Sequence, residues 1–245
     1  MSTLFLSDLH LDKNRPEIIN YFVDALSKLE NDISSIYILG DLVEYWVGDD
    51  DPGVGLQKVF DAIHKKTSTT PIYFMHGNRD FLMSKSFCKK YGMELIKDPT
   101  VINLYGKKIL LMHGDTLCTD DVEYQKYRKV VRSVEWQQEM LKKTLKERLG
   151  IAESLRKKSL QETKGKGEDI MDVNRQAVED IFNQYHVDIL IHGHTHRPSI
   201  HELQINNKSV KRVVLGDWYT SSYLLKYKKE KIIIDKTNLI NQKSS

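Results

Sequence analysis

Apolar and polar positions along this chain follow two periods. Short apolar runs at Thr3 to Ser7, Ile36 to Leu39, Pro71 to His76, Ile109 to Met112 and Ile189 to His192 predict buried strands. Between the first three runs, apolar residues recur at helical spacing. Pro16 to Leu29 lines up Ile18, Ile19, Phe22, Ala25, Leu26 and Leu29, with Pro in the first turn. Val54 to Lys66 repeats the pattern with Leu56, Val59, Phe60 and Ile63, and Ser84 to Tyr91 predicts a shorter helix ending at Gly92. This β-α-β-α-β order predicts an α/β layered fold.

After Met112 the pattern changes. Tyr124, Tyr127, Val131, Val134, Leu141, Leu145 and Leu149 predict one long helical stretch from Asp120 to Gly150. Ile151 to Gly167 is polar and basic, ends in Lys164-Gly165-Lys166-Gly167, and reads as a mobile loop. Met171 to His186 resumes as an amphipathic helix. His201 to Ile205 with Lys211 to Leu215, and Ser222 to Lys226 with Lys231 to Asp235, predict hairpins. The expected organisation is a core of residues 1–119 and 171–240, a helical insert of residues 120–170 and a disordered tail at 241–245.

Each of the five apolar runs delivers a polar motif from its end. These are Asp8-Leu9-His10, Gly40-Asp41, Gly77-Asn78-Arg79-Asp80, His113-Gly114-Asp115 and Gly193-His194-Thr195-His196. One such motif alone is as well explained by a turn. Five together bring Asp, Asn and His to one place, and those side chains suit divalent metals. With no Cys among them, a closed structural zinc site is disfavoured. His192 shares a strand with His194 and is read as structural or as support for a ligand; His64, His186 and His201 fall outside the constellation.

In this order the motifs resemble those of the calcineurin-like metallophosphoesterase superfamily, from Ser7 to Arg197. The resemblance implies a four-layer α/β/β/α sandwich, with the insert placed as a cap between the fourth and fifth motifs. It implies that Asp8, His10 and His196 hold one ion, that Asn78, His113 and His194 hold another, and that Asp41 bridges. Asp80 and Asp115 then support these ligands.

One position departs from the superfamily pattern. Most members carry His after the Asn, placed to help the leaving group; here Arg79 stands there. Arginine stays charged and is a poor proton donor. A phosphate leaving group, with a second pKa of ~6, needs no acid. Arg79 therefore favours pyrophosphate cleavage, although an ion pair with Asp80 is an equally simple use for it. The segments around these motifs, together with Ile170-Met171-Asp172-Val173-Asn174 and Leu215-Gly216-Asp217-Trp218, resemble the UDP-2,3-diacylglucosamine diphosphatase family of bacterial lipid A synthesis. That resemblance implies attack of metal-activated water on the α-phosphorus, giving UMP and 2,3-diacylglucosamine 1-phosphate. It further implies two Mn²⁺ ions and catalytic roles for Asp41, Asn78, Arg79 and His113. Substrate contacts fall on Asn78, Arg79, Asp121, Tyr124, Arg156, Ser159, Thr163, Lys166 and His194. The alternative is a metallophosphoesterase acting on a soluble nucleotide or phosphodiester.

Charge sharpens the picture of the insert. From Lys126 to Lys166 there are 13 Lys or Arg against 5 Asp or Glu, a local +8 within a total of +3. Such a stretch is either a solvated helical face or a surface for anions. A diacyl substrate needs an apolar groove, worth roughly 0.8 kcal/mol per buried CH₂, and a basic rim suits an anionic inner-membrane surface. Trp46, Trp136, Tyr124 and Tyr127 are candidates for that boundary, with ordinary core packing the simpler use of Trp46. No apolar run is long enough to span a membrane, and no signal peptide is expected before the first motif. A cytoplasmic protein, peripheral on the inner membrane, is expected, and Cys88 and Cys118 suggest no disulfide framework. No nucleic-acid groove and no obligate protein partner are evident.

Overall fold

The computed structural model describes residues 1–245 apart from 31, 52, 54, 166–171 and 240–245, with residues 158–165 described as backbone alone. In chain order the elements are β1 (Ser2–Leu6), α1 (Pro16–Lys28), β2 (Ile33–Leu39), α2 (Gln57–Thr67), β3 (Ile72–Met75), α3 (Lys85–Lys90), β4 (Met93–Ile96), β5 (Thr100–Leu104), β6 (Lys107–Leu111), α4 (Val122–Val131), α5 (Val134–Leu141), α6 (Leu145–Gly165), α7 (Arg175–Tyr185), β7 (Ile189–His192), β8 (Ser199–Ile205), β9 (Lys208–Val214), β10 (Ser221–Lys228) and β11 (Lys231–Asn238). They form a six-stranded sheet, β11-β10-β1-β2-β3-β4, and a five-stranded sheet, β5-β6-β7-β9-β8. β1 to β4 run parallel, as do β6, β7 and β9, while β10, β11, β5 and β8 add antiparallel edges.

The period of two in a strand explains why the central runs are continuously apolar. In β1, Leu4 and Leu6 face one cluster, with Ile18, Ile19, Phe22 and Leu26 of α1 and Val59, Phe60 and Ile63 of α2. Phe5 faces the opposite way, into a second cluster that also takes Leu39, Met75, Ile109, Leu111, Ile189 and Ile191. That cluster is the contact between the two sheets. Leu110 and Leu190 point outward to Val178 and Phe182 of α7. Three apolar clusters thus separate four layers, helix, sheet, sheet and helix, as expected.

The insert departs from its expected form. The predicted helix from Asp120 to Gly150 is broken twice. Ser133 accepts a hydrogen bond from the Trp136 N–H at 3.2 Å and so starts α5. Thr144 and Glu147 then exchange capping bonds, with Thr144 N–H to Glu147 Oε2 at 2.9 Å, and start α6. The Thr-x-x-Glu signal was legible but lay inside an unbroken apolar period. The predicted loop from Ile151 is helical through Gly165. Gly150 is tolerated there in open space, and Lys157 pairs with Glu153 one turn back. Lys166, Gly167 and the tail at 241–245 lie outside the described residues. β4 and β5 were not expected; each is short and half-polar, and pairing to a neighbouring strand decides them.

Arginines fasten the insert to the core. Arg148 of α6, 2% exposed, donates to the Val47 carbonyl and to the Asp50 carboxylate. Arg128 donates to buried Asp115 at 2.6 Å, Arg132 donates to the Gly77 carbonyl at 2.8 Å, and Arg156 lies 3.2 Å from Glu44. The lysines behave differently: Lys126, Lys142 and Lys157 make exposed pairs along their own helices. The basic segment is thus both a solvated face and a set of clasps. No helix among the described residues is long and apolar enough to cross a membrane, and no disulfide is formed between Cys88 and Cys118, both buried.

Trp218 belongs to the first cluster. Fully buried, it meets Tyr21 and Phe22 edge-on at 5.7 and 6.0 Å, and its backbone N–H donates to the Asp8 carbonyl. Replacing Trp218 with Ala is expected to cost about 3–5 kcal/mol, read as a lower urea midpoint.

Candidate active site

Asp8 and His10 follow β1, Asp41 follows β2, Asn78 follows β3, His113 follows β6, and His194 and His196 follow β7. All seven lie beyond the C-terminal ends of parallel strands, where open α/β sheets place their ligands. The chain must turn sharply to aim them inward. Asp8, His10, Asp41, His194 and His196 all adopt left-handed backbone, with φ between 47° and 67°. That conformation is uncommon for residues with a side chain and is held only where the surroundings enforce it. Here the loops enforce it on one another. Asp8 N–H donates to the Gly40 carbonyl, His10 N–H to the Asp41 carbonyl and Gly193 N–H to the His113 carbonyl. Asp8 Oδ2 accepts from the Ser7 hydroxyl at 2.6 Å and from His194 N–H at 2.9 Å, and Asp41 Oδ1 accepts from Arg79 N–H at 2.8 Å.

Two motif glycines are explained by these approaches. A Cβ on Gly77 would stand 2.1 Å from Asp41 Oδ1, and one on Gly193 would stand 2.1 Å from Asp8 Oδ2. No side chain fits at either place.

The ligand atoms converge. Asp8, His10 and His196 offer three atoms within 4.8 Å of one another, and Asp8, Asp41 and His113 offer three more. Asp41 stands between them, with Oδ2 3.7 Å from His10 Nε2 and Oδ1 3.9 Å from His113 Nε2. Asn78 Oδ1 faces His113 Nε2 at 2.9 Å and His194 Nδ1 at 3.0 Å. The donor set fits cations. His113 Nδ1–H donates to the Leu39 carbonyl at 2.9 Å, so its Nε2 is left to present a lone pair to an oxygen. His10 Nε2 and His196 Nε2 face each other at 3.3 Å, and Asp8 Oδ1 is buried without a hydrogen-bond partner. Such juxtapositions are relieved by a positive charge between the groups.

The electrostatics point the same way. Burial opposes charge on the His113 ring, but Asp41, Asp8 and Asp115 raise its pKa to about 9. Burial and the charge of His113 lower the neighbouring His194 to about 4. Burial also opposes ionisation of Asp8, yet His196, His113 and His10 hold it well below the usual carboxylate range. The cluster therefore draws positive charge to its centre.

Around this centre the other expected residues are placed as follows. Asp80 accepts from the Gly77 and Leu42 amides at 2.8 Å each, so its carboxylate braces two ligand loops rather than pairing with Arg79. Asp115 accepts from Tyr124 OH at 3.0 Å and from Arg128. Asp121 caps α4 through Tyr124 N–H at 3.1 Å. Arg79, half-buried, has a buried Nε without a partner. His192 is fully buried, and its Nδ1–H donates to the Gly193 carbonyl, which makes it a prop for the last ligand loop. The side chains of Ser159 and Thr163, and Lys166 altogether, lie outside the described residues. Arg79, Asn78, Asp121, Tyr124, Arg156 and His194 line one cavity of about 1210 Å³ that also touches His10, Asp41 and His196. Its far wall is apolar, with Trp136, Met140, Leu149 and Leu155 of the insert. Trp46 belongs both to the core and to this wall.

Three residues of the site were not expected. Glu44, buried, lies 3.4 Å from His10 Nδ1. Tyr219 stacks on the His10 ring at 5.1 Å, and Asp217 lies 3.5 Å from His196 Nδ1. All stand beside recognisable motifs, but their spacing carries no ligand signal of its own. Replacing Gly193 with Ala is expected to destabilise the protein by about 1–3 kcal/mol and to weaken metal binding with it. Calorimetric metal titration and thermal melting check both effects.

The family model for calcineurin-like phosphoesterases matches residues 1–198. A UDP-2,3-diacylglucosamine hydrolase of Marinobacter nauticus is 47% identical over 219 residues, covering 89% of this chain and 90% of that protein. One from Yersinia pseudotuberculosis serotype O:1b is 46% identical over 227 residues, covering 92% and 95%. Among solved structures, an archaeal phosphodiesterase shares the fold with a TM-score of 0.50 at 16% identity, over 97% of this chain and 99% of that one. Strand-end ligands in this order, on two packed sheets, go with the matched family: the chain belongs to the calcineurin-like phosphoesterases.

Proposed function

We propose that this protein hydrolyses the pyrophosphate bond of UDP-2,3-diacylglucosamine, releasing UMP and 2,3-diacylglucosamine 1-phosphate in lipid A synthesis. The observation that carries this reading is the single cavity, polar at the ligand cluster and apolar along α5 and α6. An amphiphilic substrate needs both ends in one space. The relatives above 45% identity act on this substrate by name, and they align over nine-tenths of the chain.

In this reading Asp8, His10 and His196 hold one divalent ion, Asn78, His113 and His194 a second, and Asp41 both; Mn²⁺ suits the oxygen and imidazole donors. When bound, such a pair would supply Lewis-acid polarisation of the phosphoryl oxygens and would acidify a water for attack on the α-phosphorus. The protein's own groups do the rest. Arg79 faces the cavity with an unpartnered Nε and balances the charge that gathers on the departing phosphate. Arg156 and Lys166 add to that balance. Asp115 holds the Tyr124 hydroxyl, which keeps that ring beside His194 at 5.7 Å and walls the site. Residues 120–170 act as a cap that keeps the acyl chains from water.

We also infer contact with the anionic cytoplasmic face of the inner membrane. Val122, Val130, Val134 and Leu141 are exposed on α4 and α5, beside Lys126 and Lys142. Each cation near such a surface is worth about 1 kcal/mol.

With Mn²⁺ and oxygen-18 water, the label enters UMP; label in the lipid product would overturn attack at the α-phosphorus. Asp41→Ala is expected to keep its circular dichroism and lose turnover, and equal cleavage of a soluble nucleotide by the wild type would return the alternative substrate class. Arg79→Met should lower kcat about 10²–10³-fold, the usual loss for one charge-stabilising donor. Finally, the protein should float with phosphatidylglycerol vesicles at low salt but not with phosphatidylcholine vesicles, and the triple change Val122→Ser, Val130→Ser, Val134→Ser should release it.

A further inference from the structure

Glu44 lies on the loop after β2, and its backbone N–H donates to the Leu11 carbonyl at 3.1 Å, so the residue is fixed beside the first ligand loop. Its side chain is 3% exposed, and the two carboxylate oxygens face different parts of the molecule. Oε2 lies 3.4 Å from His10 Nδ1 and accepts from the Tyr219 hydroxyl at 3.2 Å. Oε1 lies 3.2 Å from Arg156 on α6. Tyr219 is itself held by two neighbours. It stacks on the His10 ring with an interplanar angle of 16°, and the Arg15 guanidinium also sits over its ring, 4.6 Å from the centroid. Arg15 also donates to the His10 carbonyl. His10 is thus gripped through its backbone, its ring face and its Nδ1, and one side chain joins the Nδ1 grip to the insert.

We propose that Glu44 is a positioning residue that couples the insert to the metal centre. By facing Nδ1 with a carboxylate oxygen at 3.4 Å it favours the His10 tautomer whose Nε2 is free for the ion, and by pairing with Arg156 it ties that same ligand to the seating of α6. This rests on the reading of His10 as a metal ligand. A carboxylate behind a ligating imidazole raises the basicity of the ring and orients it. Arg156 competes for the same carboxylate with its own positive charge, so seating α6 weakens Glu44's hold on His10. Coupling of this kind is reciprocal: what metal does to the insert, the insert does to metal. It also gives Arg156 two alternative partners, Glu44 in the free protein and an anionic substrate group when the cavity is filled.

The test is Mn²⁺ affinity of the full-length, substrate-free protein, measured by calorimetry on four forms: wild type, Glu44→Gln, Arg156→Met and the double variant. Glu44→Gln is expected to weaken Mn²⁺ binding about 10–100-fold. Arg156→Met is expected to tighten it several-fold when Glu44 is present and to have no effect in the Glu44→Gln background. A direct effect of the guanidinium charge through space would survive in both backgrounds; that result, or an Arg156→Met protein with wild-type affinity, overturns the coupling. If Glu44→Gln does not fold, Tyr219→Phe carries the test, because it removes only the hydroxyl that braces Oε2; several-fold weaker Mn²⁺ binding supports the proposal and unchanged binding contradicts it. A wild-type protein that binds no Mn²⁺ would instead overturn the metal-centre reading on which the proposal rests.

Discussion

The structure turns on the way Asp8 and Asp41 bind the ligand loops to each other. Each is a candidate ligand, and each also accepts a hydrogen bond from the backbone of another loop, His194 for Asp8 and Arg79 for Asp41. Both are buried and both sit in left-handed backbone. Isolated, these groups would be costly on all three counts. Joined, they make the loops a single unit, which is how strands from two separate sheets hold one cluster. The absence of any Cβ at Gly77 and Gly193 is part of the same constraint, because those loops pass within contact distance of the two carboxylates.

The insert is fastened by a different logic. Its clasps are arginines reaching carbonyls and carboxylates of the ligand loops: Arg132 on Gly77, Arg148 on Val47 and Asp50, Arg156 on Glu44. A guanidinium suits this task because it offers several donors in one plane and is less strongly hydrated than an ammonium. Lys126 and Lys142 of the same segment stay in water, where ion pairs contribute little to stability. The roof of the cavity is therefore attached to the loops that form its floor. The apolar wall of α5 and α6 is thereby held to the loops around the cluster.

Arg79 links this architecture to chemistry. Its backbone N–H braces Asp41, while its side chain turns into the cavity, and Asp80 is occupied by the Gly77 and Leu42 amides. A cation that keeps its proton favours a leaving group that needs none. In the proposed reading, this one position beyond a candidate ligand directs the centre toward a pyrophosphate.

Much of this was legible in the sequence. Strand periodicity, helical spacing and the five strand-end motifs are local, and local pattern gave the core elements, an α/β layering and the residues that meet at the cluster; the four-layer order came from the family resemblance. The break at Ser133 and the start of α6 at Thr144 were less legible, because caps act through hydrogen bonds that leave the apolar period unbroken. β4 and β5 depend on partner strands, and their sequence is half-polar. Only the tertiary structure decided that Arg128, Arg132, Arg148 and Arg156 of the basic segment reach the core while Lys126, Lys142 and Lys157 face outward, since composition counts charge without direction. It alone placed Glu44, Asp217 and Tyr219 around the histidines. Those contacts are made between loops up to 209 residues apart, as for His10 and Tyr219, and no spacing along the chain encodes them. The sequence by itself determined which side chains are candidates to hold metal; the packing of two sheets and an insert decided how those side chains are aimed, because orientation comes from neighbours in space.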